Sequence, residues 1–431
     1  MSTYADFLSG KVAKVHEQGK SVQKSDVHPM LHSWQADIVA WACDVGRAAI
    51  WADTGLGKTF MQVEWLRIMT GSGIGLIVAP LAICQQTVKE AAKLGVDVNY
   101  VREQPLESGL FITNYEMVEK FDPLTLNAVV LDEASILKSS DGKTRALLID
   151  HFSSVPYRLA CTATPAPNEP EELTNQSEFL GHMDRNHMLA AYFVHDDQGW
   201  RLKGHARRPM YRWMATWAVA IRFPSDMGYS DDGYILPGLE IIPEIVTADI
   251  ESEDQLFATD LGGVGGRAKV RRETLDARVA RAAEIVRAEP DEPWLIWCGL
   301  NAEADALVKA IPDAVNVHGS LSPEEKADGL LGFAEGRIRV LLSKPSIASQ
   351  GLNYQHCARM VFVGLSDSYE SYYQAVRRCY RYGQKRVVKA HVVLSDIESQ
   401  IAVNVARKER EAGNITSALV AEMSAARKEK P

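Results

Sequence analysis

One short span constrains the fold of this chain more than any other. The apolar run Ala48-Ala49-Ile50-Trp51 leads into Ala52-Asp53-Thr54-Gly55-Leu56-Gly57-Lys58-Thr59, and a helical pattern follows at Phe60, Met61, Val63, Leu66 and Ile68. A strand, a glycine-bearing turn and a helix in that order fit an α/β layer with the turn at the sheet's C-terminal edge. Glycines let such a turn close into a concavity whose N–H groups face an anion at a helix N-terminus. Thr54, Gly55 and Gly57 then shape a phosphate cradle, Lys58 reaches the β- and γ-phosphates, and the Thr59 hydroxyl ligates Mg²⁺. The strict pattern has Gly where Ala52 stands, so the reading leans on the strand–loop–helix context as much as on the letters.

The same alternation recurs along the chain. Apolar runs at Ala48–Trp51, Gly75–Ala79, Leu110–Thr113, Ala128–Leu131 and Tyr157–Cys161 are separated by helical stretches. A second set follows at Trp294–Cys298, Ala314–Val317, Ile338–Leu342, Met360–Val363 and Ala390–Leu394. Continuously apolar strands between helices imply parallel sheets covered on both faces, and two sets imply two α/β lobes. Residues 182–245 break the pattern: rich in Trp, Tyr, Met and Arg, they read as a helical insertion and connection closing the first lobe. The predicted organisation is a 1–30 extension, a 31–181 lobe, the 182–245 insertion, a 246–409 lobe and a 410–431 tail. Gly262-Gly263-Val264-Gly265-Gly266 follows no strand and reads as a loop.

Composition excludes several classes. With 46% hydrophobic and 24% charged residues the 431-residue chain is ordinary globular material with room for two or three domains. No apolar run approaches the roughly 20 residues that span a bilayer, and the N-terminus lacks a secretory pattern, so a cytoplasmic location is expected. Six scattered cysteines without a Cys-x-x-Cys argue for buried thiols rather than a zinc site or disulfide frame. A net charge of −9 does not exclude nucleic acid, because binding follows local patches. Two windows are basic: Arg201, Lys203, Arg207, Arg208 and Arg212, and Arg267, Lys269, Arg271 and Arg272. Each also reads as solvated surface.

The second chemical signal is Ala128-Val129-Val130-Leu131-Asp132-Glu133-Ala134-Ser135, an apolar strand ending in two carboxylates. Asp132 can hold Mg²⁺ through water, and Glu133 can orient and deprotonate an attacking water. The same letters describe a helix cap and a first-turn acid. Downstream of a phosphate loop the catalytic reading is preferred.

At this point the order of motifs resembles the superfamily-two helicases, in particular the Swi/Snf-type translocases of the DEAD/DEAH group, over about Leu31 to Glu409. Leu31-His32-Ser33-Trp34-Gln35 is similar to the family's adenine-reading element, with Gln35 on the base. Val78-Ala79-Pro80-Leu81 and Ile112-Thr113-Asn114-Tyr115-Glu116 resemble elements that grip a nucleic-acid backbone, which points to Thr113 and Asn114. Leu159-Ala160-Cys161-Thr162-Ala163-Thr164-Pro165 resembles the coupling motif, with Thr162 and Thr164 tying nucleotide state to lobe closure. Ser349-Gln350-Gly351-Leu352-Asn353-Tyr354 fits an element that touches nucleic acid and nucleotide, with Gly351 at the nucleotide. In Gln374-Ala375-Val376-Arg377-Arg378-Cys379-Tyr380-Arg381-Tyr382-Gly383-Gln384 a helix sets Arg378 and Arg381 on one face as γ-phosphate-reading arginines. Ser135 and Tyr380 stand where the family more often has His, and Arg377 where an acid is common.

The resemblance implies two RecA-like lobes, ATP and Mg²⁺ bound between them, and closure and reopening that ratchet nucleic acid, with duplex DNA preferred as the track. Arg207 and Arg208, in the aromatic and basic insertion, are the expected extra duplex contacts. Trp213, Met214 and Trp217 either serve a strand-separating wedge or pack the insertion onto the lobe. The size fits a compact phage or bacterial form. Two other functions stay open: an RNA helicase or RNA-stimulated ATPase, and an ATP-gated nucleic-acid-binding switch without net movement.

Overall fold

The computed structural model describes residues 19–138, 142–197, 199–247, 273–348, 353–365, 368–396 and 399–429. Gly351, the Gly262–Gly266 run and the window from Arg267 to Arg272 lie outside the described residues. The chain forms two compact units, Met1–Asp231 with Glu411–Pro431, and Asp232–Arg410.

The first unit is built on a seven-stranded sheet. Its strands are β1 (Arg47–Ala52), β2 (Ile74–Ala79), β3 (Val98–Tyr100), β4 (Gly109–Asn114), β5 (Leu126–Asp132), β6 (Tyr157–Thr162) and, after an antiparallel hairpin of β7 (Phe193–Asp196) and β8 (Gly199–Leu202), β9 (Ala218–Ile221). The order across the sheet is β3-β4-β2-β5-β6-β1-β9, and every pairing is parallel. Helices such as Ser33–Val45, Lys58–Thr70 and Leu81–Lys93 fall between strands. Covering both faces demands apolar side chains on both, which is why β1, β2 and β6 are buried at all but their first residue.

The insertion differs from the sequence expectation. It carries helices Arg185–Tyr192 and Arg207–Met214, but also the β7–β8 hairpin and β9, an added strand of the main sheet. Trp213, Met214 and Trp217 are buried: Trp217 meets Trp51 edge-on at 5.8 Å and Trp213 at 5.5 Å. Packing, and not a wedge, is their role in this arrangement. The residues from 411 onward, read as a separate tail, belong to the first unit and seal its β9 edge. The Met423 sulfur accepts the Ala220 N–H at 3.1 Å, and Arg222 donates to the Ser417 hydroxyl at 2.8 Å. A free edge strand is thereby covered.

The second unit holds a six-stranded parallel sheet: β10 (Leu239–Val246), β11 (Trp294–Cys298), β12 (Ala314–Val317), β13 (Val340–Ser343), β14 (Arg359–Val363) and β15 (Val388–Ser395), in the order β10-β15-β14-β11-β13-β12. Its strand β10 begins at Leu239, inside the span read as the insertion. Val279, Ala282 and Val286 of helix Leu275–Ala288 pack on Ile296, Leu307 and Val361. Within this core Arg278 and Glu303, both with fully buried side chains, pair at 2.7 Å. Glu303 also accepts the N–H groups of Gly299 and Leu300, at 2.8 and 2.9 Å, and so fixes the turn after β11. Removing one partner strands a charge in a dry core. Glu303→Ala is predicted to destabilise the protein by about 3–5 kcal/mol in chemical denaturation; a loss below about 1 kcal/mol contradicts this role.

Candidate nucleotide-hydrolysing site

Three elements meet at the C-terminal edge of the first sheet because their strands are adjacent and in register. Trp51 of β1 pairs with Thr162 of β6, and Asp132 of β5 pairs with Cys161. The phosphate loop, the two carboxylates and the Thr-Ala-Thr turn therefore leave the sheet side by side.

The loop has the backbone its glycines permit. Gly55 and Gly57 have φ of 86° and 73°, in the left-handed region where a side chain is strained. A Cβ on Gly57 would also lie 2.4 Å from Nε2 of Gln35. Gly57 caps helix Lys58–Thr70, so Lys58 and Thr59 occupy its first turn. Lys58 Nζ donates to the carbonyls of Ala52 at 2.7 Å and Asp53 at 3.4 Å, a resting place across the mouth of its own loop. Thr54 and Asp53 join through the Thr54 N–H and the Asp53 carboxylate, 2.6 Å apart.

Gln35 is buried, and both ends of its amide are engaged. Its carbonyl oxygen accepts the His32 N–H at 2.8 Å, and its nitrogen donates to the Leu56 carbonyl at 2.9 Å. The residue expected to read adenine is thus also a brace beneath the phosphate loop.

Asp132 is buried at the end of β5. Burial raises its pKa, while the Gln62 amide, the Lys58 charge and the Glu133 N–H pull toward the carboxylate form. Tyr115 donates its hydroxyl to the Asp132 carbonyl at 2.6 Å and holds the strand end in place. Glu133 is the one non-glycine with positive φ, 56°, among the described residues. An L-residue in that region costs about 1–2 kcal/mol, and such strain persists where neighbours over-determine it, commonly at functional sites. β5 ends at the buried Asp132, and Glu133 lies half-buried in the turn that follows.

Thr162 and Thr164 are buried, and the Thr162 hydroxyl accepts the Thr164 N–H at 3.1 Å. Gln176 ties this turn to β1: its nitrogen donates to the Pro165 carbonyl at 2.9 Å, and its oxygen accepts the Trp51 indole N–H at 2.7 Å. Gln62, Tyr115 and Gln176 were given no role from sequence. Their only signal there is a polar atom on an otherwise buried position.

The remaining residues fall differently. Thr113 is fully buried, and Asn114 is buried with its amide held by Tyr100, at 2.9 Å, and Glu116. Neither presents a side chain to a backbone outside the lobe in this arrangement. Arg207 is exposed, whereas Arg208 and Arg212 face Glu422 at 3.4 and 3.6 Å. In the second unit, helix Tyr369–Val376 ends before the arginines, so Arg378 and Arg381 lie in a turn and not on a helical face. The Tyr354 N–H donates to the Arg378 carbonyl at 2.9 Å, and the buried Gln384 amide donates to the carbonyls of Cys357 and Cys379 at 2.9 and 3.2 Å. Two of the three departures from the family pattern sit together: the Arg377 guanidinium lies over Tyr380 and Tyr373, 5.3 and 5.1 Å from their centroids.

A phosphate loop, an Asp-Glu strand end and a hydroxyl-bearing turn on one parallel edge define a nucleoside-triphosphate-hydrolysing class of protein. Two families match in tandem: the SNF2-related domain over residues 30–188 and the helicase conserved C-terminal domain over residues 277–383. The chain belongs to the Swi/Snf-type superfamily-two helicases, an ATP-hydrolysing group. It is similar to protein p41 of Acyrthosiphon pisum secondary endosymbiont phage 1, 23% identical over 411 residues, which cover 80% of this chain and 87% of that one. It is also similar to the probable ATP-dependent RNA helicase ddx41 of Dictyostelium discoideum, 26% identical over 129 residues, or 29% of this chain; the match spans only 19% of that protein's length. Among solved structures, the Sulfolobus solfataricus SWI2/SNF2 ATPase core in complex with dsDNA aligns with 92% of this chain and 95% of its own, at 17% identity and a TM-score of 0.44. No helix among the described residues is long and apolar enough to cross a membrane.

If the positive φ at Glu133 is retained for chemistry, Glu133→Gly relieves strain. The variant is predicted to be more stable than the parent by about 1 kcal/mol in urea. Glycine's added freedom in the unfolded chain offsets only roughly 0.5–1 kcal/mol of that relief, so a destabilised protein contradicts stored strain at this position.

Proposed function

We propose that the protein is an ATP-driven translocase that tracks on duplex DNA. The observation that carries the hydrolytic part is the strained Glu133 beside buried Asp132, on the same sheet edge as the Lys58 loop. Duplex DNA as the track is supported by membership of the Swi/Snf-type group and by the SNF2-related domain over the first unit.

In this reading the loop N–H groups and Lys58 bind the triphosphate, with Lys58 exchanging its carbonyl partners for phosphate oxygens. Mg²⁺ suits the oxygen donors Thr59 and Asp132, since this ion is commonly held by one or two carboxylates plus phosphates and waters. Bound there, the ion neutralises charge on the phosphates. Glu133 orients water and accepts its proton. Gln35, braced on Leu56, makes the loop's shape sensitive to the base above it. Thr162 and Thr164, clamped by Gln176, report loop state to the rest of the lobe. Arg378 and Arg381 serve hydrolysis as γ-phosphate-reading arginines, a role worth about 10³–10⁵ in rate at related sites. Arg207 and Arg208 contact the DNA backbone, with Arg208 leaving Glu422 to do so. Gly351 contributes to nucleotide contact.

A second reading, an RNA-stimulated ATPase, is favoured by the local likeness to an RNA helicase. Steady-state ATPase rates without nucleic acid and with duplex DNA, single-stranded DNA or RNA separate the two. Stimulation chiefly by duplex DNA, with ATP-dependent displacement of a triplex third strand, is the expected result. Preferential stimulation by RNA overturns the duplex reading, and hydrolysis without displacement overturns translocation in favour of a nucleotide-gated clamp.

A further inference from the structure

The opposite edge of the first sheet carries a feature that nucleotide chemistry does not use. Arg47 opens β1 and Arg158 sits directly beside it in β6, register partners in a parallel pair whose side chains share a face. Arg158 is only 3% exposed, and Arg47 is partly open to solvent. Their partners are carbonyls: Arg47 Nε donates to Pro156 at 3.0 Å, and Arg158 Nη1 donates to Phe179. Among the described residues neither forms an ion pair, and Arg158 Nε has no hydrogen-bond acceptor.

The two guanidiniums also converge. A Cβ built on Gly181 would lie 2.9 Å from Arg158 Nη2 and 3.0 Å from Arg47 Nη1, so the two nitrogens converge beside the Gly181 backbone. Gly181, in the left-handed region with φ of 76°, keeps that corner free of a side chain. His182 lies alongside. Its Nε2 donates to the Arg47 carbonyl at 2.7 Å, and burial lowers its pKa to about 4, so it is neutral and adds no competing charge.

Burying a guanidinium without a counter-charge is costly, and a second one beside it adds repulsion. The C-terminal dipole of helix Leu173–Leu180, through the Phe179 carbonyl, offsets part of one charge. It leaves the second cation and the orphan Arg158 Nε unanswered. A forked pair of guanidiniums matches the oxygens of a tetrahedral anion bidentately. With Arg158 3% exposed and Arg47 partly open to solvent, the pair is approached from the Arg47 side, by a small ion and not by a duplex. We infer that Arg47 and Arg158 form a second anion site, which binds a free phosphate-type oxyanion at the sheet edge opposite the nucleotide. The length of β1, five steps of about 3.3 Å, separates it from the phosphate loop.

The test removes the phosphate loop's own affinity by working in full-length Lys58→Ala. Phosphate, compared with chloride at equal ionic strength, is expected to raise its Tm by about 3 °C or more at saturation. Adding Arg47→Gln, at the partly exposed partner, is expected to abolish that rise while the chloride transition stays cooperative. One oligonucleotide with and without a 5′-phosphate distinguishes the source: equal shifts from the two, beside a rise with free phosphate, identify the free ion, and an extra shift that depends on the 5′-phosphate overturns it. No phosphate-specific rise in Lys58→Ala, or a rise kept in the double variant, overturns the site. Should the double variant not fold, crystals of the parent protein in selenate decide. Anomalous density between the two guanidiniums supports the site, and its absence refutes it.

Discussion

The parallel pairing of β5, β6 and β1 is the constraint on which the rest depends. Strands that run in one direction and start in register must also end together, so whatever follows each strand emerges at one edge. Pairing Trp51 with Thr162 and Asp132 with Cys161 brings together a phosphate loop, two acids and a hydroxyl turn that are far apart in sequence. A one-residue slip would part these groups and at the same time mispack side chains fitted to two different buried faces. Fold stability and site geometry therefore rest on the same ladder.

Around that edge the protein spends polar groups on bracing. Gln35 holds Leu56, Gln176 holds both Trp51 and Pro165, and Tyr115 holds the Asp132 backbone. Each is a buried hydrogen bond whose loss would leave a desolvated partner. Lys58 is the exception: it rests on two loop carbonyls, a contact that a phosphate can replace.

Much of this was legible in sequence. All ten apolar runs are strands because both faces of a parallel sheet need the same apolar chemistry, which leaves continuous runs. The elements missed are those where that rule weakens. Strand β3 has only three residues, and β10 is an edge strand carrying Pro243 and two glutamates. Strand β9 follows an aromatic and basic helix closely enough to be read as its continuation. The arginine segment has a helical spacing, yet tertiary hydrogen bonds from Tyr354 and Gln384 bend it into a turn. The glycine turn before helix Lys58–Thr70 and the Asp-Glu end of β5 stand where the sequence places them, the first because a left-handed backbone at Gly55 and Gly57 dictates the residue type. The braces were not, since any buried glutamine looks alike until its partner is in place.

The role proposed for Glu133, in the turn that follows buried Asp132, is to activate the attacking water. Single-turnover cleavage of bound ATP by Glu133→Gln, with nucleotide affinity measured on the same preparation, tests it most directly. Near-parental affinity with cleavage slowed by about 10² or more is the expected result. Parental cleavage rates would contradict it.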